Sequence, residues 1–283
     1  MNALHAVDSR AEALVVAATD FTPAAAAAAR RAAEIAAAGG ARLVLFHAWR
    51  GGDAEGERER LRLSATRLRR AFGVPVDTQL GYGSAPAAIA AFAHGVRADL
   101  VVVGNGQADF LADLFGLNTA DRVRRRAPIP VLAVSSAARR PYARVALATD
   151  LSPRTALAGR VAQRLFPKAE MRVLHANESL HEGTLHFAGV SGDLVAAYRR
   201  QALLLGERQL AQFVARYLPG LEGSATVRLG APAAAIHEYV RDAEADVVVL
   251  SPGKSWLARA MAHSVTEQVL ADPPCDVLLA GSP

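Results

Sequence analysis

Cysteine occurs once in the chain, at Cys275, and lysine only at Lys168 and Lys254. A single cysteine excludes an internal disulfide and suits a reducing compartment, so a cytoplasmic protein is expected. No apolar run reaches the roughly 18 to 20 residues that crossing a bilayer takes. The alanine-rich stretch 24–38 is interrupted by Arg30, Arg31 and Glu34 and reads as a soluble helix. No basic segment precedes an apolar core at the N-terminus, so neither a secretory signal nor a membrane partner is expected. With so little lysine, the net charge of +5 is carried by arginine, scattered except for Arg122, Arg124, Arg125 and Arg126. Nucleic-acid binding calls for a basic patch or stripe. These four fit a solvated helix face ahead of a buried strand, and no nucleic acid is expected as a partner.

What is present is an ordered internal repeat. Ala17-Ala18-Thr19-Asp20-Phe21-Thr22-Pro23 returns as Leu147-Ala148-Thr149-Asp150-Leu151-Ser152-Pro153. Leu43-Val44-Leu45-Phe46-His47-Ala48 returns as Met171-Arg172-Val173-Leu174-His175-Ala176. Gly83-Ser84-Ala85-Pro86 with Ile89 returns as Gly230-Ala231-Pro232 with Ile236, and Ala98-Asp99 with its valine run returns as Ala245-Asp246. A repeat in constant order is a duplicated domain. The boundaries fall at 1–138 and 139–283, the join passing through Pro141. The second copy is longer between its second and third strands.

Within the first copy, short apolar runs near 13–18, 42–48, 76–80, 99–104 and 131–134 are separated by longer helical patterns. Runs that are apolar throughout, instead of alternating, predict parallel strands covered on both faces. The fold class is therefore α/β: two doubly wound, Rossmann-type domains, each a five-stranded, mostly parallel sheet flanked by helices. Thr22-Pro23 and Ser152-Pro153 each predict an N-cap hydroxyl before a proline at the first helical position. In the second copy an inserted segment, 177–193, precedes a long amphipathic helix over 194–217. Glu178, His181, Glu182 and His186 in that insert have no recognised ligand spacing, and no metal is expected.

These elements resemble the universal stress protein family, in its tandem form. The resemblance rests on five features in each half, in order. They are the strand-end Thr-Asp with its capped proline, the second strand ending in histidine, the glycine–proline turn, the Ala-Asp fourth strand and the closing strand. That last strand is preceded by Ala127-Pro128-Ile129-Pro130 in one half and by Pro273-Pro274-Cys275 in the other. His263-Ser264-Val265-Thr266-Glu267 is similar to the Gly-Ser-Val-Thr-Glu that opens the family's last helix.

Family members that bind ATP carry Gly-x-x-Gly, nine residues, then Gly-Ser or Gly-Thr. Glycine lets backbone approach a phosphate, and the hydroxyl residue opens a helix whose amides attract the anion. In the first half Gly104 fits, but Gln107, Leu117 and Asn118 stand at the later positions. Asp20, on the adenosine side, therefore faces a degraded loop. In the second half, counting along the motif puts Leu250 at the first glycine, Gly253 at the second, His263 at the third and Ser264 at the hydroxyl. The resemblance implies Asp150, Gly253, Lys254, His263 and Ser264 as the set that would meet ATP there.

A P-loop is excluded, because Val248, inside a strand, stands where its first glycine belongs. No serine lies in a nucleophile elbow. His47 and His175 end matching strands and are expected as packed, hydrogen-bonded groups. The chain is thus expected to be a non-catalytic stress-response module that senses a ligand or engages an unidentified protein. The alternative is an adenine-nucleotide sensor in the second half, with slow ATP hydrolysis. A third reading is a carrier of apolar ligands, with Leu117, Leu250 and Trp256 in the altered cleft. The apolar edge strands 131–134 and 277–280 are expected to pair within the chain as an internal pseudo-dimer. A further homodimer stays open.

Overall fold

Runs such as Leu100-Val101-Val102-Val103 and Val247-Val248-Val249-Leu250 have no polar side to turn to water, and both are buried throughout. They are inner strands of one continuous sheet. The computed structural model describes residues 13–104, 129–135, 141–177, 191–251 and 265–280. The first copy contains β1 (Leu14–Ala18), α1 (Pro23–Gly39), β2 (Arg42–Trp49), α2 (Ala54–Phe72), β3 (Val76–Tyr82), α3 (Ala85–Gly95), β4 (Leu100–Gly104) and β5 (Val131–Val134). The second contains β6 (Arg144–Thr149), α4 (Pro153–Leu165), β7 (Glu170–Asn177), α5 (Gly192–Tyr217), a short 3₁₀ turn (Glu222–Ser224), β8 (Ala225–Leu229), α6 (Pro232–Asp242), β9 (Val247–Leu250), α7 (Val265–Ala271) and β10 (Asp276–Leu279).

The sheet order is β3-β2-β1-β4-β5-β10-β9-β6-β7-β8. Strands within a copy pair in parallel, and the two copies meet through the antiparallel pair β5–β10, with Leu132 opposite Leu278. The expected pairing of the two edge strands is present: each hides the other's free edge. All eight residues of β5 and β10 are buried.

Alternate strand residues point to opposite layers. Val15, Ala17, Leu100 and Val102 join α1 and α2 in one apolar cluster, to which α5 of the second copy also contributes Leu210, Phe213 and Val214. Val16, Val101 and Val103 join α3, α6 and α7 in the other. Each fully buried valine or leucine contributes about 1.5–3 kcal/mol relative to exposure. The repeated Ala-Asp pair has a structural reason. Asp99 Oδ2 accepts the Leu14 amide at 3.0 Å, and Asp246 Oδ2 accepts those of Ala143 and Arg144 at 2.8 Å. Each aspartate thus ties the start of its copy's first strand.

The helix starts agree with the sequence in one half and differ in the other. Thr22 Oγ1 accepts the Ala25 amide at 3.2 Å, as an N-cap does. Ser152 stands at the N-cap of α4 but its side chain makes no cap bond. The donor it would have served, the Thr155 amide, bonds to the Ser152 carbonyl at 3.1 Å instead. After β3 and β8 the chain turns through Gly83 (φ 121°) and Gly230 (φ 127°), a conformation that side chains rarely adopt. The insert expected over 177–193 is largely outside the described residues, though β7 reaches Asn177 and α5 begins at Gly192.

Candidate functional site

In each copy the strand order reverses between the first and fourth strands, and open α/β sheets bind ligands at the carboxyl ends of such strands. In the first copy this place is a pocket of about 530 Å³ at the ends of β1, β2 and β4. Its walls are mainly apolar, with Phe46, Ile89 and Val103 prominent, and its polar groups are Thr19, Asp20, Thr22 and His47.

The turn that delivers Asp20 is tightly specified. Thr19 Oγ1 accepts the Phe21 amide at 3.0 Å. Asp20 Oδ1 accepts both the amide (3.0 Å) and the hydroxyl (2.6 Å) of Thr22. Between them Phe21 holds φ at 64°, a left-handed conformation that costs a bulky residue energy. Its ring lies against His47 (4.8 Å between centroids) and under the Arg60 guanidinium (4.0 Å), contacts that fix it there. Burial alone would raise the Asp20 carboxyl. The Thr22 hydroxyl and amide outweigh it and hold the group below its ordinary value, with His47 adding a smaller pull. Asp20 is therefore an ionised acceptor. Among the described residues its Oδ2 makes no hydrogen bond.

The second copy repeats the turn with different partners. Leu151 holds φ at 62°, and its amide bonds to Thr149 Oγ1 at 2.9 Å. Asp150 Oδ1 accepts the Ser152 amide at 3.0 Å and the hydroxyl of buried Thr155 at 2.7 Å. Burial again pushes this carboxyl up, and the hydrogen bonds of Ser152 and Thr155 bring it below the ordinary value.

Both strand histidines are packed and hydrogen-bonded. His47 Nδ1 lies 2.7 Å from the Thr19 carbonyl, and His175 Nδ1 lies 2.9 Å from that of Thr149. A carbonyl only accepts, so Nδ1 carries the proton in both. His47 Nε2 faces Glu57 at 3.9 Å. Ser84 and Ser191 occupy N-cap positions of α3 and α5.

Gly104 lines the pocket, and its reason is packing. A Cβ there would lie 2.9 Å from the Ala24 carbonyl carbon and 3.1 Å from the Ala25 nitrogen, both backbone atoms of α1. The sheet register also corrects the motif count. Val16 pairs with Val101, and Ala146 pairs with Val248, so Val101 and Val248 are equivalent. Leu250 then corresponds to Val103, and Ser251 takes the place of Gly104. Ser251 carries a Cβ where Gly104 has none. The repeated Ala-Asp pairs carried this signal, because aligning them fixes the register without the glycine motif.

Gly253, Lys254, His263, Ser264 and Asn118 lie outside the described residues, as do Gln107, Leu117 and Trp256 and the insert's Glu178, His181, Glu182 and His186. The structure thus brings together Asp20 and Gly104 in one pocket and places Asp150 in the matching turn. Among the described residues no cluster of three histidine, cysteine or acidic side chains could hold a metal ion, and no helix is long and apolar enough to cross a membrane.

Comparison with known proteins agrees with this architecture. A protein of Pseudomonas aeruginosa UCBPP-PA14 described as a universal stress protein is 18% identical, with a TM-score of 0.58 over 95% of this chain and 93% of that one. A universal stress protein from Archaeoglobus fulgidus DSM 4304 is 14% identical, with a TM-score of 0.65 over 94% and 97%. A shorter Archaeoglobus fulgidus universal stress protein, solved in complex with dAMP, is 26% identical over 39% of this chain and 93% of that one, with a TM-score of 0.33. No curated protein sequence matches the chain. The sequence model of the family matches residues 14–135 and again 141–281, and the chain belongs to the universal stress protein family as a tandem pair of its domains.

Proposed function

We propose that the chain is a cytoplasmic, non-catalytic ligand-sensing module of the stress response, and that its first copy takes the nucleoside end of an adenine nucleotide. The observation that carries this reading is the pocket at the ends of β1, β2 and β4. Its volume of about 530 Å³ falls within the ~300–1,000 Å³ usual for small-molecule sites, and its apolar walls around a few polar groups have the usual character. Ala18, Ala48 and Ala85, partly exposed over the buried Phe46, Ile89 and Val103, offer apolar surface to a base. Asp20, held ionised with Oδ2 free of hydrogen bonds among the described residues, suits a pair of ribose hydroxyls. The histidines, each committed through Nδ1 to a carbonyl, serve as packing groups, which supports a binding role without chemistry.

A second reading is an ATP sensor in the second copy, favoured by the recurrence of the strained turn around Asp150. There Gly253, Lys254, His263 and Ser264 would meet the phosphates, with slow hydrolysis as its furthest extent.

Calorimetric titration of nucleotide-free protein separates the two. Adenosine and AMP binding that falls at least tenfold in Asp20→Asn, and stays in Asp150→Asn, supports the first copy as the site. Binding of Mg-ATP alone, weakened by Asp150→Asn and Ser264→Ala, supports the second reading instead. No heat with any of the three at millimolar concentration overturns both and leaves an interaction module.

A further inference from the structure

A second cavity, of about 710 Å³, runs between α1 and α2 on the opposite face of the sheet from α3. It shares Thr19 with the pocket above but is otherwise separate from it. Small side chains create it: Ala26 and Ala29 keep the surface of α1 low, so the two helices leave a trough over Leu45. Leu68 and Phe72 of α2 complete an apolar floor.

Its rim is basic. Arg30, Arg60 and Arg67 all line the groove and are exposed. Arg60 is held by Glu57 at 3.0 Å and by the ring of Phe21. The neighbouring acidic residues are also engaged, Glu55 and Glu59 with Arg58 and Arg62, and Glu34 with Arg31. Among the described residues Arg30 and Arg67 have no hydrogen bond or ion pair. The groove therefore combines an apolar floor with two guanidiniums that pair with no described residue.

We infer that this groove binds a single-chain anionic amphiphile, a fatty carboxylate, with its acyl chain along the floor and its carboxylate at Arg30 and Arg67. The planar fork of arginine matches a carboxylate, and alkyl surface leaves water for the floor. A polyanion such as nucleic acid or an acidic peptide would use the charge and leave the floor unfilled. The site does not rest on the nucleoside reading, and Thr19 is the one lining residue the two have in common.

The test is displacement of the fluorescent fatty acid parinarate from the full chain by palmitate, with hexadecanol and hexadecyltrimethylammonium as controls. Palmitate is expected to displace the probe saturably, at least tenfold more tightly than either control. Arg30→Gln with Arg67→Gln should weaken palmitate at least tenfold, and Ala26→Trp, which fills the trough, should do the same. Adenosine should not compete with palmitate. These positions are exposed, and an unaltered thermal melt confirms that the variants fold. Failure of saturable displacement, equal displacement by the alcohol, or competition by adenosine overturns the proposal. So does a preference for lysophosphatidate over palmitate, or retention only on anionic vesicles.

Discussion

Across 134 positions of the chain, the hydroxyl of Tyr142 donates a 2.5 Å hydrogen bond to Oδ2 of Asp276. Asp276 opens β10 and is only 1% exposed. Its Oδ1 accepts the Ser135 amide, at the end of β5, at 2.7 Å. Arg31 of α1, itself 4% exposed, brings Nε to 3.5 Å from Oδ2 and lays its guanidinium 4.3 Å over the Tyr142 ring. One buried carboxylate thus joins both strands of the seam to the linker and to α1.

Removing one donor from this cluster should be measurable. Tyr142→Phe is expected to lower stability in urea unfolding by about 1–3 kcal/mol, the cost of leaving a buried acceptor short of a partner. Asp276→Ala should cost more, since breaking a buried ion pair costs about 3–5 kcal/mol. Glu34, which also pairs with Arg31, places the expected value near the lower end. A neutral Tyr142→Phe would show that the seam rests on the apolar strands alone.

Three aspartates predict opposite pH dependences. Burial pushes the Asp276 carboxyl above its ordinary 3.8, and Tyr142, Ser135 and Arg31 offset only part of this. For Asp20 and Asp150 burial also pushes upward, but hydrogen bonds from Thr22, or from Ser152 and Thr155, carry the value below 3.8. A raised group stabilises fully below its unfolded value and loses that contribution as pH rises through its folded value. A lowered group contributes above its unfolded value and loses this as pH falls through the folded one. The stability difference between wild type and Asp276→Asn should therefore shrink as pH rises from 3.8. For Asp20→Asn and Asp150→Asn it should grow as pH rises towards 3.8. Urea midpoints at a series of pH values check both signs.

Gly104→Ala should destabilise the chain by about 1–3 kcal/mol, because the added methyl meets backbone, which yields less readily than a side chain. The thermal midpoint should fall accordingly. Ser251→Gly, at the matching place in the second copy, should relieve no such clash and should not raise the midpoint.

These contrasts mark what the sequence could and could not reveal. The strands were legible because runs such as Val101-Val102-Val103 are apolar on every position, and the seam because residues 131–134 and 277–280 would be bare edges. The pairing of Asp20 with the pocket followed from its place after β1. The role of Gly104 was not legible, since a glycine kept for helix–strand contact looks the same as one kept for phosphate. The one-residue difference between Leu250 and Ser251 was hidden by counting along a motif, where sheet register decides. The arginine-rimmed groove depends on how α1 packs beside α2, and Arg30 and Arg67 lie too far apart in sequence to form a motif.

Cys275 offers a reporter for the seam. Burial, and then the charge of neighbouring Asp276, push its thiol up to about 12. Its Sγ donates to the Asp276 carbonyl at 3.3 Å. The thiolate is the reactive form, so at pH 8 the folded chain should react with a disulfide reagent far more slowly than the urea-unfolded chain. Cys275 is partly exposed just before β10, and the part of its labelling that waits on β10 opening has a rate that follows the free energy of that opening. If Tyr142→Phe weakens the seam by ~1.4 kcal/mol, that part should quicken about tenfold, provided opening and closing are fast relative to the chemistry. Prompt labelling of the wild type would mean that the edge of β10 opens without unfolding. The two copies would then part far more easily than the buried pairing of Asp276 with Tyr142 implies.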